Sequence, residues 1–297
     1  MRLIIFTAVV SLAAAIFVLV YFMWLQLEAF VTPRRHAGIG TPLELGQPFE
    51  PVTLRTKDGL KIAGWYIEGS RPDAIILVHG IDANRRAVLP EAAVLAGAGY
   101  HLLMIDLRGH GQSEGDVATY GYREAWDVQA AIDYLAALPD IDQIGALGTS
   151  YGGAAVVRAA AIDPRVQAVV VESSYSSLTD AVGDAFSSRS IFPKWPFAPL
   201  FVTLAERRVG LDISQVDSAR DLASLNSRAV MIIHGAEDRV FPLHHAHKMY
   251  TAAQGPKELW IIDGLGHANP AAGPERAAAF EARVIPFFER AFARDQR

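Results

Sequence analysis

The chain has 297 residues, with 27 Lys and Arg against 32 Asp and Glu, a formal net charge of −5, and no cysteine. The lack of cysteine excludes disulfides, thiolate catalysis and thiolate metal sites, and is tolerated in any redox compartment. No basic run exceeds a pair, which argues against a nucleic-acid partner.

The first element is an apolar run from Leu3 to Leu25, interrupted only by Thr7 and Ser11 and free of charge. Its length suits one helical crossing of a bilayer. Tyr21, Phe22 and Trp24 near its end suit an interfacial aromatic belt. No small-x-small cleavage site follows, so an uncleaved single-pass anchor over residues 3–27 is expected, in preference to a cleaved signal or a core helix. Arg34 and Arg35 after the span lean toward a cytoplasmic C-terminal domain, whereas a two-residue N-terminal tail leans toward export. Residues 28–49, with Pro33, Pro42 and several glycines, are predicted to form a linker that lets the remainder stand off the membrane. One large domain, 50–297, is long enough for a sizeable core.

That domain opens with an expected antiparallel hairpin, Val52–Arg55 and Leu60–Ile67 around Asp58-Gly59. Short apolar runs then recur, each stopping at a polar or glycine-rich turn. They are Ala74–Val78 before His79-Gly80, Leu102–Ile105 before Asp106–Ser113, and Ile144–Leu147 before Gly148-Thr149-Ser150-Tyr151-Gly152. Ala168–Val171, Ala229–Ile233 before His234-Gly235, and Leu259–Ile262 before Asp263-Gly264 complete the series. Unalternating runs suit strands buried on both faces of a parallel sheet. Between them lie helix-period segments at 83–98, 123–138, 150–162, 243–253 and 274–293. The alternation predicts an α/β doubly wound sheet, with chemistry at the carboxyl ends of its strands. Residues 174–228 interrupt it and are expected to form a cap. In the Gly-x-Ser-x-Gly stretch, a serine on a sharp strand-to-helix turn stands clear of the sheet, with the positive end of a helix behind it.

With these turns in this order, the chain from about Pro51 to Phe292 resembles the α/β-hydrolase family, nearest its small-cap esterase, lysophospholipase and serine-aminopeptidase branch. The resemblance implies a mostly parallel central sheet flanked by helices, a small helical cap and a Ser-His-Asp triad in the order Ser150, Asp238, His267. Ser150 needs a base, and His267 after the last strand is the candidate. Asp238 is the expected orienting carboxylate, with its neighbour Glu237 as competitor. The amides of Ile81 and Tyr151 would hold the oxyanion. The Tyr151 ring is expected either to face the pocket or to pack the elbow. Asp106 and Arg108 are expected to tie loops together, and His79 to shape the oxyanion loop.

Within the cap, Phe192, Trp195, Phe197 and Phe201 are candidate walls of an apolar acyl pocket or of a membrane-facing entrance, and the adjacent anchor suits an acyl-chain substrate drawn from the bilayer. His244, His245 and His247 have no matched carboxylate in the sequence and are read as a solvated face, so no metal is expected. Neither a phosphate-loop nor a dinucleotide fingerprint is present, and no cofactor is expected. The reading is a membrane-anchored serine hydrolase acting on a small-molecule or lipid-like carboxylic ester or thioester. The rivals are an aminopeptidase, with Asp180, Asp184 or Glu206 holding the substrate ammonium, and a non-catalytic tethered binding module.

Overall fold

The computed structural model describes residues 1–36, 38, 40–188 and 192–293. Residues 37 and 39 of the expected linker, 189–191 in the expected cap, and residues 294–297 lie outside the described residues. Helix α1 (Arg2–Val31) comes first, followed by strands β1 (Glu50–Arg55), β2 (Lys61–Ile67) and β3 (Asp73–Val78). Next are α2 (Leu89–Gly97), β4 (His101–Ile105), α3 (Glu124–Ala136), β5 (Gln143–Thr149), α4 (Tyr151–Ile162) and β6 (Val166–Glu172). The chain continues through α5 (Leu178–Ser188), α6 (Lys194–Val209), α7 (Ser218–Ala223), β7 (Ala229–Gly235), α8 (His244–Ala252), β8 (Lys257–Ile262) and α9 (Pro274–Ala293).

The eight strands form one sheet in the order β1-β2-β4-β3-β5-β6-β7-β8. β1 and β2 pair antiparallel, β2 runs antiparallel to β4, and β3 to β8 are mutually parallel. Burial follows from strand period. Along β3, Ala74, Ile76 and Val78 enter one core beneath α3, α4 and α8, while Ile75 and Leu77 enter the other beneath α2 and α9. Both faces are therefore covered, which is why the strands read as continuous apolar runs. The expected helix at 83–98 is shorter: Arg85–Val88 is a 3-10 turn capped by the Asn84 side chain, and the α-helix starts at Leu89-Pro90, where proline suits the first turn.

The insertion between β6 and β7 holds α5, α6 and α7; α5 packs on α6, and α6 packs on α1. α1 runs four residues past the expected end of the span. Met23, Leu27 and Val31 are buried, one turn apart, in a cluster with Leu178, Val182, Phe201 and Val209. The Tyr120 hydroxyl donates to the Phe30 carbonyl at 2.7 Å. The Ala118 amide donates to the Val31 carbonyl at 2.8 Å. Earlier in the helix, Ile4 to Val20 present exposed apolar side chains, and the span from Ile4 to Val31 is long and apolar enough to cross a membrane.

Candidate active site

The strand order reverses around β3, whose neighbours are β4 and β5, and doubly wound sheets place their sites at such a reversal. Ser150 leaves β5 there. Its backbone has φ 55° and ψ −117°, a conformation side chains rarely adopt and one that costs of order 1–3 kcal/mol. The turn is held by the Ser150 amide donating to the Glu172 carbonyl at 2.7 Å and by the Ser174 hydroxyl donating to the Ser150 carbonyl at 2.7 Å. A Cβ at Gly152 would strike the carbonyl oxygens of Val78 and His79. Glycine there lets α4 dock against the end of β3.

The Ser150 hydroxyl lies 2.9 Å from Nε2 of His267, whose Nδ1 lies 2.8 Å from Oδ2 of Asp238. Oδ1 of Asp238 accepts the amides of Val240 at 2.8 Å and Phe241 at 2.9 Å. Burial alone would raise the Asp238 carboxyl, but its bond to His267 and those amides bring it below the usual range, so it stays ionised. Glu237, one residue earlier, is exposed, as expected for neighbours on an extended turn. The loop carrying His267 is fastened at both sides of the histidine. Glu237 donates its amide to the Leu265 carbonyl, and Ala268 donates its amide to the Ser173 hydroxyl at 3.1 Å.

Ile81 follows β3, and Tyr151 opens α4. Neither amide donates to a group among the described residues. Gly80, next to Ile81, sits against Ser150, where an added Cβ would lie 3.4 Å from the Ser150 Cβ. Two unpaired N–H groups thus flank the serine, as an oxyanion would require. His79 shapes this loop. It is wholly buried, its Nδ1 donates to the Gly80 carbonyl at 2.6 Å, and its Nε2 accepts the Leu107 amide at 3.1 Å. Burial, with His110 beside it, pushes its pKa down to about 3, so the ring is neutral. The Tyr151 ring packs the elbow, 5.5 Å from Tyr120 and 5.6 Å from His110, and is 1% exposed. Asp106 and Arg108 do tie loops, though not to each other. Asp106 pairs with Arg85 at 2.6 Å, and Arg108 pairs with Asp127 at 2.7 Å and Asp58 at 2.8 Å.

An apolar cavity of about 540 Å³ opens beside the triad. Phe241 links the two: it lines the cavity, and its ring lies 5.4 Å from that of His267. Phe192 and Phe201 line the cavity. Phe197 stands behind them, packed on Phe192 at 5.0 Å. Trp195 is a correction: it is 79% exposed and away from the cavity. Pro196 confines the residue before it to extended backbone, and Trp195, at φ −108° and ψ 132°, is turned outward. The rest of the lining includes Phe22, Met23, Gln26, Ala29 and Phe30 of α1, residues that the sequence alone places in or just after the anchor and not in the pocket wall.

His234 was also missed as a working residue. It is buried beneath Asp238, with Nε2 donating to the Phe241 carbonyl at 2.7 Å. Burial lowers its pKa, so it braces the acid loop as a neutral donor. Its place at the end of β7, four residues before Asp238, was the available signal.

The histidine cluster is a second correction. His247 is exposed, but His245 is buried, and Asp184 on α5 supplies the carboxylate absent from the local sequence, 3.0 Å from His244 and 3.1 Å from His245. These three residues bring ligand-type atoms within 4.8 Å of one another. Nδ1 of His245 accepts the Ser176 amide at 3.2 Å, so Nε2 carries the ring proton and faces Asp184. The contacts are ion-pair distances between α5 and α8, and neither His245 Nε2 nor Asp184 Oδ2 completes a hydrogen bond.

Residues 56–195 match the X-Pro dipeptidyl-peptidase (S15) family, a stretch that contains Ser150 and stops before Asp238 and His267. The uncharacterized protein MT2364 of Mycobacterium tuberculosis is 31% identical over 225 residues, covering 74% of this chain and 72% of the relative. The alpha/beta hydrolase domain-containing protein WAV2 of Arabidopsis thaliana is 25% identical over 230 residues, covering 74% of this chain and 72% of its own. Among solved structures, the Pyrococcus furiosus esterase Pf2001 superposes with a TM-score of 0.73 at 24% identity, over 88% of this chain and 99% of the esterase.

Proposed function

The chain belongs to the α/β-hydrolase family and is a serine hydrolase, and from that premise we propose that it cleaves carboxylic esters or thioesters with an apolar acyl part, using Ser150, His267 and Asp238. The observation that carries this reading is the hydrogen-bonded chain Ser150–His267–Asp238 ending beside an apolar cavity. Ser150 Oγ attacks the carbonyl carbon as its proton passes to Nε2 of His267. Asp238 holds the ring by Nδ1 and stabilises the imidazolium. The amides of Ile81 and Tyr151 receive the oxyanion, each worth about 10²–10³ in rate. The imidazolium then protonates the leaving alcohol or thiol. Water, deprotonated by the same ring, releases the acid from the acyl-enzyme.

The S15 match keeps a peptidase as the second reading. The three carboxylates that could hold a substrate ammonium are already engaged. Asp180 pairs with Lys248, Asp184 with His244 and His245, and Glu206 accepts the Ile213 amide at 3.1 Å. None of them lines the cavity. An apolar acyl group fits that lining better than an ammonium.

In this reading residues 3–27 are a retained membrane anchor, 28–49 lead to the hydrolase domain 50–297, and 174–228 form its cap. Retention is supported by the burial of Met23, Leu27 and Val31 against the cap, because cleavage after the span would strip that packing. Fluorophosphonate labelling of the full chain in detergent, beside a folded Ser150→Ala variant, tests the reading. Labelling lost in the variant, with short-chain ester turnover in the wild type, is expected. Folded wild-type protein that neither labels nor turns over esters overturns it in favour of a binding module.

A further inference from the structure

The cavity has two ends. One lies at Phe241, against His267. The other lies where Phe22 of α1 meets Phe192, ring to ring at 5.8 Å. A helix needs about 20 residues to cross a hydrocarbon core, and 20 residues counted from Ile4 end near Met23. Phe22 therefore sits where the exposed apolar half of α1 gives way to the half packed on the cap, beginning at Met23. The far end of the cavity is thus at the depth of the bilayer surface, while its near end is at the general base.

Resting on the ester-hydrolase reading above, we propose that α1 is one wall of the acyl site. The hydrocarbon tail of a membrane-resident single-chain ester is received directly from the bilayer along Phe22, Met23, Ala29 and Phe30, and its carbonyl reaches Ser150 past Phe241. The lining is continuous between these points: α1 supplies one side, and Leu178, Val182, Phe186 and Phe201 of the cap helices supply the other. Phe30 joins the two sides, stacked on Tyr120 at 4.2 Å and edge-on to Phe201 at 5.4 Å. Gln26 is a non-aromatic polar side chain on α1 in this lining, placed one turn beyond Phe22. A hydrocarbon tail entering here passes from lipid to an apolar lining without crossing water, so the transfer of the tail costs no desolvation of polar groups. The helix thereby sets chain-length preference as well as location.

Ala29 lines the cavity without being buried, so a larger side chain there fills space at little cost to folding. The test uses the full chain in detergent and compares kcat/KM for p-nitrophenyl palmitate with that for p-nitrophenyl butyrate. Ala29→Trp is expected to lower the long-to-short ratio by about tenfold or more, the range that a few methylene contacts command. Ile5→Trp, on the exposed half of α1 and far from the cavity, keeps the wild-type ratio. A ratio unchanged in Ala29→Trp, or lowered equally in Ile5→Trp, overturns the proposal. Should wild-type protein hydrolyse neither ester and resist fluorophosphonate, the hydrolase reading falls by itself. The wall is then judged by binding of a dansyl fatty acid: weaker binding by Ala29→Trp sustains it, and equal binding rejects it.

Discussion

At the His267 end of the cavity, the polar groups are fixed by hydrogen bonds running back into the sheet. At the α1 end, by contrast, apolar side chains meet with one exposed ion pair, Glu28 to Arg208 at 2.8 Å. The first construction defines positions to within a fraction of an ångström, as proton transfer demands. The second has few directional contacts, the bonds to the Phe30 and Val31 carbonyls among them, and its apolar lining adapts to the shape of what enters. The same fold thus uses polar bonding where atoms must react and bare packing where they need only be accommodated.

The sharpest break in this comparison comes at the acid. Asp238→Asn leaves the packing intact but loses the carboxylate that fixes the His267 tautomer, and kcat for a short-chain ester is expected to fall about 10³–10⁴-fold. Glu237→Gln, one residue away and exposed, leaves kcat within about twofold. Steady-state kinetics on the two variants decide between the carboxylates. Next in size, Arg85→Met removes the partner of buried Asp106 and is expected to lower the unfolding free energy by about 3–5 kcal/mol, read by chemical denaturation.

At the other end, Leu27→Ala removes a fully buried side chain and costs about 2–4 kcal/mol. Were α1 absent from the mature protein, the same substitution would change nothing, so thermal melting of purified protein also separates anchor from signal.

An effect of comparable size concerns pH. Glu172 is wholly buried, and burial together with nearby Glu91 raises its pKa well above the usual range; Glu91 is raised too, chiefly by burial. Each carboxyl holds its proton in the folded chain at pH values where the unfolded chain has lost it. Their stabilisation is full below the unfolded carboxylate range and is lost as pH rises toward the folded values. Between about pH 4.5 and 7 they contribute a fall of up to about 1.4 kcal/mol per unit for each group. Glu172→Gln should flatten that part of the curve, seen in denaturation midpoints against pH. The smallest effect is Glu28→Gln, expected below about 1 kcal/mol and erased by high salt, because both partners of that ion pair are partly exposed.

The catalytic end was largely legible in the sequence, since its signals are local. Apolar runs stopping at His79-Gly80, Ser150, His234-Gly235 and Gly264 mark strand ends, and the sheet gathers strand ends into one place. The α1 end was not legible. A helix apolar on every side carries no stripe to show which face will be covered, so the burial of Met23, Leu27 and Val31 was invisible before the cap was in position. The partnership of Asp184 with His244 and His245 spans some sixty residues and leaves no spacing to read. For Trp195, aromatic character alone suggests a pocket wall, whereas Pro196 after it is the local signal for an extended backbone at that position.

The positive φ of Ser150 has an evolutionary reading. Glycine would occupy that backbone without strain, so a chain selected only to remain folded would gain by exchanging Ser150, the proposed nucleophile, for glycine. Serine at this position carries a standing handicap that turnover alone can offset. Wherever a descendant of this chain ceases to be needed as a catalyst and serves only as a scaffold, position 150 is the first place to look for its retirement.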